Sequence, residues 1–83
     1  MKTCYITFRS VTYGQRAQRL LERAGIGCVL QRSPRWMEQQ GCGYSLRLRE
    51  EDCARGTDLL RSNGVSFRKV YRQLDSEMQE VLL

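Results

Sequence analysis

Apolar residues near the start of the chain fall on every second position. In "TCYITFR", residues 3–9, Cys4, Ile6 and Phe8 share one face and Thr3, Tyr5, Thr7 and Arg9 the other, the period of a strand with one face buried. From Thr12 the period lengthens. Tyr13, Ala17, Leu20, Leu21 and Ala24 recur at helical spacing, with Gln15, Arg16, Gln18, Arg19, Glu22 and Arg23 opposite them. Ser10 or Thr12 can cap this helix and Gly25 closes it. Residues 26–32, "IGCVLQR", predict a second strand with Ile26, Cys28 and Leu30 inward. Residues 33–43, "SPRWMEQQGCG", hold no period and contain the only proline, so they predict a long connection.

"YSLRLR", residues 44–49, predicts a third strand with Tyr44, Leu46 and Leu48 against Ser45, Arg47 and Arg49. "EEDCARGTDLLRSNG" predicts a second helix. Three carboxylates in its first turn complement the helix dipole, Cys53, Leu59 and Leu60 point to the core, and Asn63-Gly64 supplies the stop. Gly56 inside it costs up to about 1 kcal/mol of propensity unless close packing calls for it. "VSFRKVYR", residues 65–72, predicts a fourth strand of broken alternation, since Phe67 and Tyr71 oppose Val70. In the tail, residues 75–83, Met78, Val81 and Leu82 stand at helical spacing and suggest a short docking helix or a contact with a second chain.

The order β-α-β-β-α-β with two right-handed crossovers predicts an α+β, ferredoxin-like sandwich: a four-stranded antiparallel sheet with both helices on one face. Residues 1–74 make this single domain and 75–83 its tail. The first and third strands are then central, and Tyr5, Thr7, Arg9, Ser45, Arg47 and Arg49 share the open face. A chain of 83 residues holds one two-layer core and no deep enclosed active site, so chemistry belongs at its surface. The chain lacks a run of about 18 apolar residues, and its first residues lead straight into a strand rather than a signal-peptide core. A soluble, cytoplasmic protein is expected, with no membrane partner.

Charge is unevenly placed. The net +5 becomes 14 cations against 6 anions over residues 1–74, because Asp75, Glu77 and Glu80 lie in the tail, and twelve of the fourteen cations are arginine. Arginine's planar fork suits carboxylates, phosphates and other oxyanions. An acidic partner fits this excess, and so does a plain solvated basic surface.

Cysteines stand at positions 4, 28, 42 and 53, with no C-x-x-C pair and no histidine, which disfavours a metal site. Without a secretory signal, reduced thiols are expected. Cys4, Cys28 and Cys53 sit at core-facing positions, where a thiol packs as a small hydrophobe. Cys42 lies off the regular core faces, between Gly41 and Gly43, with Arg35, Arg47 and Arg49 near in sequence. Small neighbours leave its sulfur unshielded. Nearby cations and the amides of Gly43 and Tyr44 would lower its pKa below the free-thiol value of about 8.5. A turn cysteine flanked by glycines for backbone reasons remains the plainer alternative. With no histidine to act as base, an activated thiol here is suited to sulfur exchange: persulfide transfer, mixed disulfides and their selenium equivalents.

"YITFRS", "LLERAGI", "SPR", "GCGYSLR" and "LLRSNGV", in that order over residues 3–72, resemble a family of small bacterial selenium/sulfur carrier-like proteins. The Pro-Arg followed by Cys-Gly and a short strand with Arg is the most specific part. The resemblance implies that Cys42 is the carrier thiol, with Gly43, Arg47 and Arg35 as matching binding residues. It also implies a carrier rather than a stand-alone enzyme, without a cofactor. Its partners would be a sulfur or selenium donor, such as a cysteine-desulfurase-type enzyme, and an acceptor. Cys4, Cys28, Cys53 and the arginine load depart from the family pattern.

Two other classes compete. A basic open sheet face is also the architecture of single-stranded RNA readers, and Tyr5 with Arg47, Arg49 and Arg68 could serve, although the third strand lacks stacking aromatics. A non-catalytic interaction partner, able to pair as a homodimer, is the other; Trp36-Met37 or the tail would supply its contact.

Overall fold

The structure, a computed structural model, describes residues 3–33, 43–74 and 77–81. Its elements run β1 (Thr3–Phe8), α1 (Val11–Arg23), β2 (Cys28–Arg32), β3 (Tyr44–Arg49), a 3-10 turn (Glu50–Asp52), α2 (Cys53–Ser62), β4 (Val70–Leu74) and β5 (Glu77–Val81). The strands form one antiparallel sheet in the order β2-β3-β1-β4-β5. Its first four strands with the two helices make the α+β, ferredoxin-like arrangement, with β1 and β3 central.

The core lies between sheet and helices. Ile6 and Phe8 of β1 and Leu46 and Leu48 of β3 meet Ala17 and Leu21 of α1 and Leu60 of α2, all buried. Both helices end the same way. Gly25 and Gly64 take positive φ, 80° and 70°, and the following Ile26 and Val65 donate their amides back to Leu21 O and Leu60 O, each at 2.9 Å. These bonds satisfy the last carbonyls, and each pair of apolar residues is buried together, which turns the chain sharply back to the sheet. Gly56 is buried because α2 crosses the sheet closely: a Cβ there would stand 3.3 Å from Leu48 Cδ1.

Three expectations need correction. Residues 77–81 are a strand, not a docking helix. Five residues cannot sustain a helix alone, whereas the edge of β4 offers unpaired backbone groups that β5 satisfies. The register Leu74↔Glu77 leaves two residues between the strands, the length of a tight hairpin connection.

The thiols of Cys4 and Cys53 are not reduced but joined in a disulfide. Both face the core as expected, and β1 and the first turn of α2 bring their Cα atoms to 5.8 Å, within bridging range.

The outer sheet face, finally, is not open throughout: Thr7 and Ser45 are fully buried on it. Thr7 faces a bulge. Arg68 and Lys69 both oppose this residue: the Thr7 amide donates to Lys69 O, its carbonyl accepts the Arg68 amide, both at 2.8 Å, and its hydroxyl accepts the Lys69 amide at 3.0 Å. The extra residue shifts the side-chain parity. Phe67 and Val70 therefore both pack on the core while Tyr71 stands beside Tyr5 on the outer face, which accounts for the broken alternation of "VSFRKVYR".

Candidate functional site

Of the residues that the sequence singles out, Cys42 and Arg35 lie outside the described residues, as do Trp36 and Met37. Gly43 and Arg47 are described, and β3 separates them. Gly43 is buried just ahead of the strand, with its carbonyl accepting the Ser33 amide at 3.0 Å. Arg47 stands four residues on, about 13 Å along an extended strand. It is exposed in the outer face between Val29 and Tyr5. Val29, Arg47, Tyr5 and Tyr71 thus form one row across the sheet, and the Tyr5 hydroxyl donates to Gln73 Oε1 at 3.4 Å.

Different residues flank Gly43. Phe8 and Arg32 pair with Tyr44, so Arg9 and Ser33 are the next residues on the neighbouring strands when β3 is followed back to Gly43. Arg9 and Arg32 are exposed and make no ion pair among the described residues. Beside Arg9 the bulge displays Arg68 and Lys69, and a shallow pocket joins these three cations with Tyr13, Ser66 and Phe67. Arg61, in the last turn of α2, lies over the Phe67 ring at 5.4 Å. The α1 N-terminus, capped by Ser10, opens at the same end. The hydroxyls of Ser33 and Ser45 are buried nearby with no hydrogen-bond partner among the described residues.

The opposite end of the sheet is different. Glu50, Glu51 and Asp52 make the turn into α2; Glu50 pairs with Arg72 at 2.5 Å and Glu51 with Arg49 at 3.5 Å. Glu22, near the end of α1, acts on Cys28 at the start of β2. Along the edge strand Glu80 pairs in register with Tyr71, and on α2 Asp58 stands one turn before Arg61.

Cysteines on the helix side are unsuited to exchange. Cys4 and Cys53 are bonded to each other and 0% and 5% exposed. Cys28 is free and half-buried, its thiol 3.9 Å from Gln18 O; burial first and the Glu22 carboxylate second push its pKa up to about 11. A nucleophilic thiolate near neutral pH therefore does not come from these three.

A model of the family described as "Putative Se/S carrier protein-like" matches residues 3–72. The chain belongs to this family. The match runs from the first residue of β1 into β4 and spans the Gly43 end, while β5 lies beyond it. No curated protein and no solved structure matches the chain. In this Se/S carrier-like chain no helix among the described residues is long and apolar enough to cross a membrane.

Sequence reasoning put Arg9 on the open face but set neither it nor Arg32 beside Gly43, because both are far from that residue along the chain. The signal was available in the alternation itself: once β3 is set between β1 and β2, the strand ends name both residues. Arg68 was named only for the RNA-reader alternative, and Lys69 not at all, because the bulge that sets both beside Arg9 shows in the sequence only as the parity break at Phe67 and Val70.

Proposed function

We propose that this protein carries sulfur or selenium as a persulfide or selenopersulfide on Cys42. Membership of the Se/S carrier-like family is the observation that carries the reading. It is supported by the settings of Cys4, Cys28 and Cys53, which leave Cys42 as the remaining thiol, and by the exposed cations Arg9 and Arg32 around the residue that follows it. In loading, the Cys42 thiolate attacks the terminal sulfur of a donor persulfide. A new S–S bond forms, the donor's S–S bond breaks, and the donor leaves as a thiolate with the electron pair, so no external oxidant or reductant is needed. Delivery is the same exchange in reverse sense: an acceptor nucleophile takes the terminal atom and Cys42 departs as thiolate. Cations favour the thiolate and the anionic terminal chalcogen alike. A cysteine-desulfurase-type enzyme fits the donor role.

Treating the protein with a persulfide donor and weighing its peptides tests this. One added sulfur atom is expected on the Cys42 peptide and none on the Cys28 peptide. A Cys42→Ser protein that takes up sulfur as readily as the parent would exclude the carrier reading.

A further inference from the structure

Ser33 Oγ and Ser45 Oγ are closed to water and have no hydrogen-bond partner among the described residues, and the whole of Ser45 is buried. An unpaired buried hydroxyl is costly, and such groups call for a role. Register sets both on one face. Leu30 of β2 and Leu46 of β3 pack on the core, so Ser33 and Ser45, an odd number of residues away, turn to the outer face, and Arg9 joins them there because it follows the core residue Phe8. Ser33, Gly43 and Arg9 thus make one row across the sheet, with Ser45 next along β3.

Gly43 has no side chain, which leaves a notch walled by Ser33 on one side, Arg9 on the other and Ser45 along the strand. The two serines stand on a diagonal of roughly 7 Å, so one large atom between them is within hydrogen-bond reach of both. Thr7, the next hydroxyl on this face, is already engaged with the amide and carbonyl of Lys69 at 3.0 and 3.3 Å. Arg9 makes no ion pair among the described residues. Two hydroxyl donors and a guanidinium suit an anion. Because the hydroxyls are closed to water, an anion carried in on the chain suits them better than a dissolved one.

We infer that Ser33, Ser45 and Arg9 form an anion hole for the sulfur or selenium anion borne by residue 42, an inference that rests on the carrier reading. Residue 42 is bonded to Gly43, with its Cα about 3.8 Å away, and a persulfide adds one S–S bond of about 2.05 Å, so the notch is within its reach. In loading, the Cys42 thiolate takes the terminal sulfur, the donor leaves as a thiolate, and the proton on the terminal atom passes to solvent. The anion so formed accepts the two hydroxyl hydrogens. Donors fixed beforehand in a water-excluded site stabilise such a charge without reorganising.

Ser45→Ala and Ser33→Ala, each compared with the parent in a urea titration, in the pH profile of Cys42 alkylation and in sulfur loading from a low-molecular-weight alkyl persulfide, provide the test. Loss of an unpaired buried hydroxyl should leave the urea midpoint unchanged or raise it. Each variant should nevertheless move the Cys42 titration up by about one pH unit and lower the loading equilibrium constant about tenfold, as for one hydrogen bond to a charged group. Ser33→Thr, which keeps the hydroxyl, should restore both. Titration and loading at parent values in both alanine variants, whatever their midpoints, overturn the inference, and so does a threonine that behaves like alanine.

The two readings fail separately. If the parent takes up no sulfur at Cys42 while both alanine variants still raise its titration, the anion hole stands and the carrier reading fails. If sulfur loads equally in the parent and both variants, the carrier reading stands and the anion hole fails.

Discussion

The helix-covered layer and the Gly43 end of the sheet offer opposite surroundings. In the layer, two thiols are joined and buried and the third is held protonated by burial and Glu22. At the end, the chain leaves Cys42 for a buried glycine, with exposed arginines on both neighbouring strands. The contrast shows that thiol count says little about thiol chemistry: solvent access and local charge decide which sulfur can be a thiolate. On the carrier reading, it also gives a reason why three additional cysteines are tolerated. A second reactive thiol beside a persulfide would attack its inner sulfur and expel the cargo, and none of these three is set to do so.

Removing the disulfide has the largest expected effect. It closes a separation of 49 residues, for which chain entropy suggests a stabilisation of about 4 kcal/mol. Cys4→Ala with Cys53→Ala, or reduction of the parent, should lower the denaturation midpoint accordingly in a urea titration. An unchanged midpoint would mean that the layer gains nothing from the bond.

Cys28 should come next. With its pKa near 11 against an ordinary 9.0, its thiolate fraction at pH 8 is about 100-fold below that of a free thiol, and alkylation should be slower by that factor. The sign for stability follows. The folded state keeps the Cys28 proton where the unfolded chain loses it, so this contribution is intact below about pH 9 and declines as pH rises toward about 11. Cys28→Ala should flatten that part of a stability–pH curve.

Packing in the layer offers a finer test. Gly56→Val, which places a branched side chain against Leu48 and Leu21, should cost about 1–3 kcal/mol by overpacking. Gly56→Ala should be close to neutral, because the helix propensity gained offsets the small shift asked of Leu48. The Gly43 end should behave otherwise. Arg9→Gln should change stability by less than about 0.5 kcal/mol, as for an exposed side chain, yet slow Cys42 alkylation near neutral pH severalfold. Breaking the exposed Arg49–Glu51 pair should be the smallest change, a few tenths of a kcal/mol in the same titration.

Much of the fold was legible because its signals are local. Strand alternation in residues 3–8 and 44–49 marks β1 and β3, and Gly25 and Gly64 mark the helix ends by the positive φ they adopt. Features that need a distant partner were not. β5 exists because β4 presents an edge, and the Cys4–Cys53 bond depends on where α2 starts over β1. For the site, Gly43 lies just ahead of β3, but Arg47, close in sequence, stands well along the strand, and Arg9 and Arg32 come beside Gly43 only through pairing. Sequence neighbours in a strand move apart by more than 3 Å per residue, so electrostatic partners at a strand end come from adjacent strands.

The most direct test of the account is the pH dependence of alkylation at Cys42 and Cys28, measured on the disulfide-intact protein by peptide mass spectrometry. The account predicts that Cys42 reacts first and titrates below about 8.5, the free-thiol value, while Cys28 follows only near pH 11. A Cys42 thiol that reacts as slowly as Cys28 across that range would contradict it.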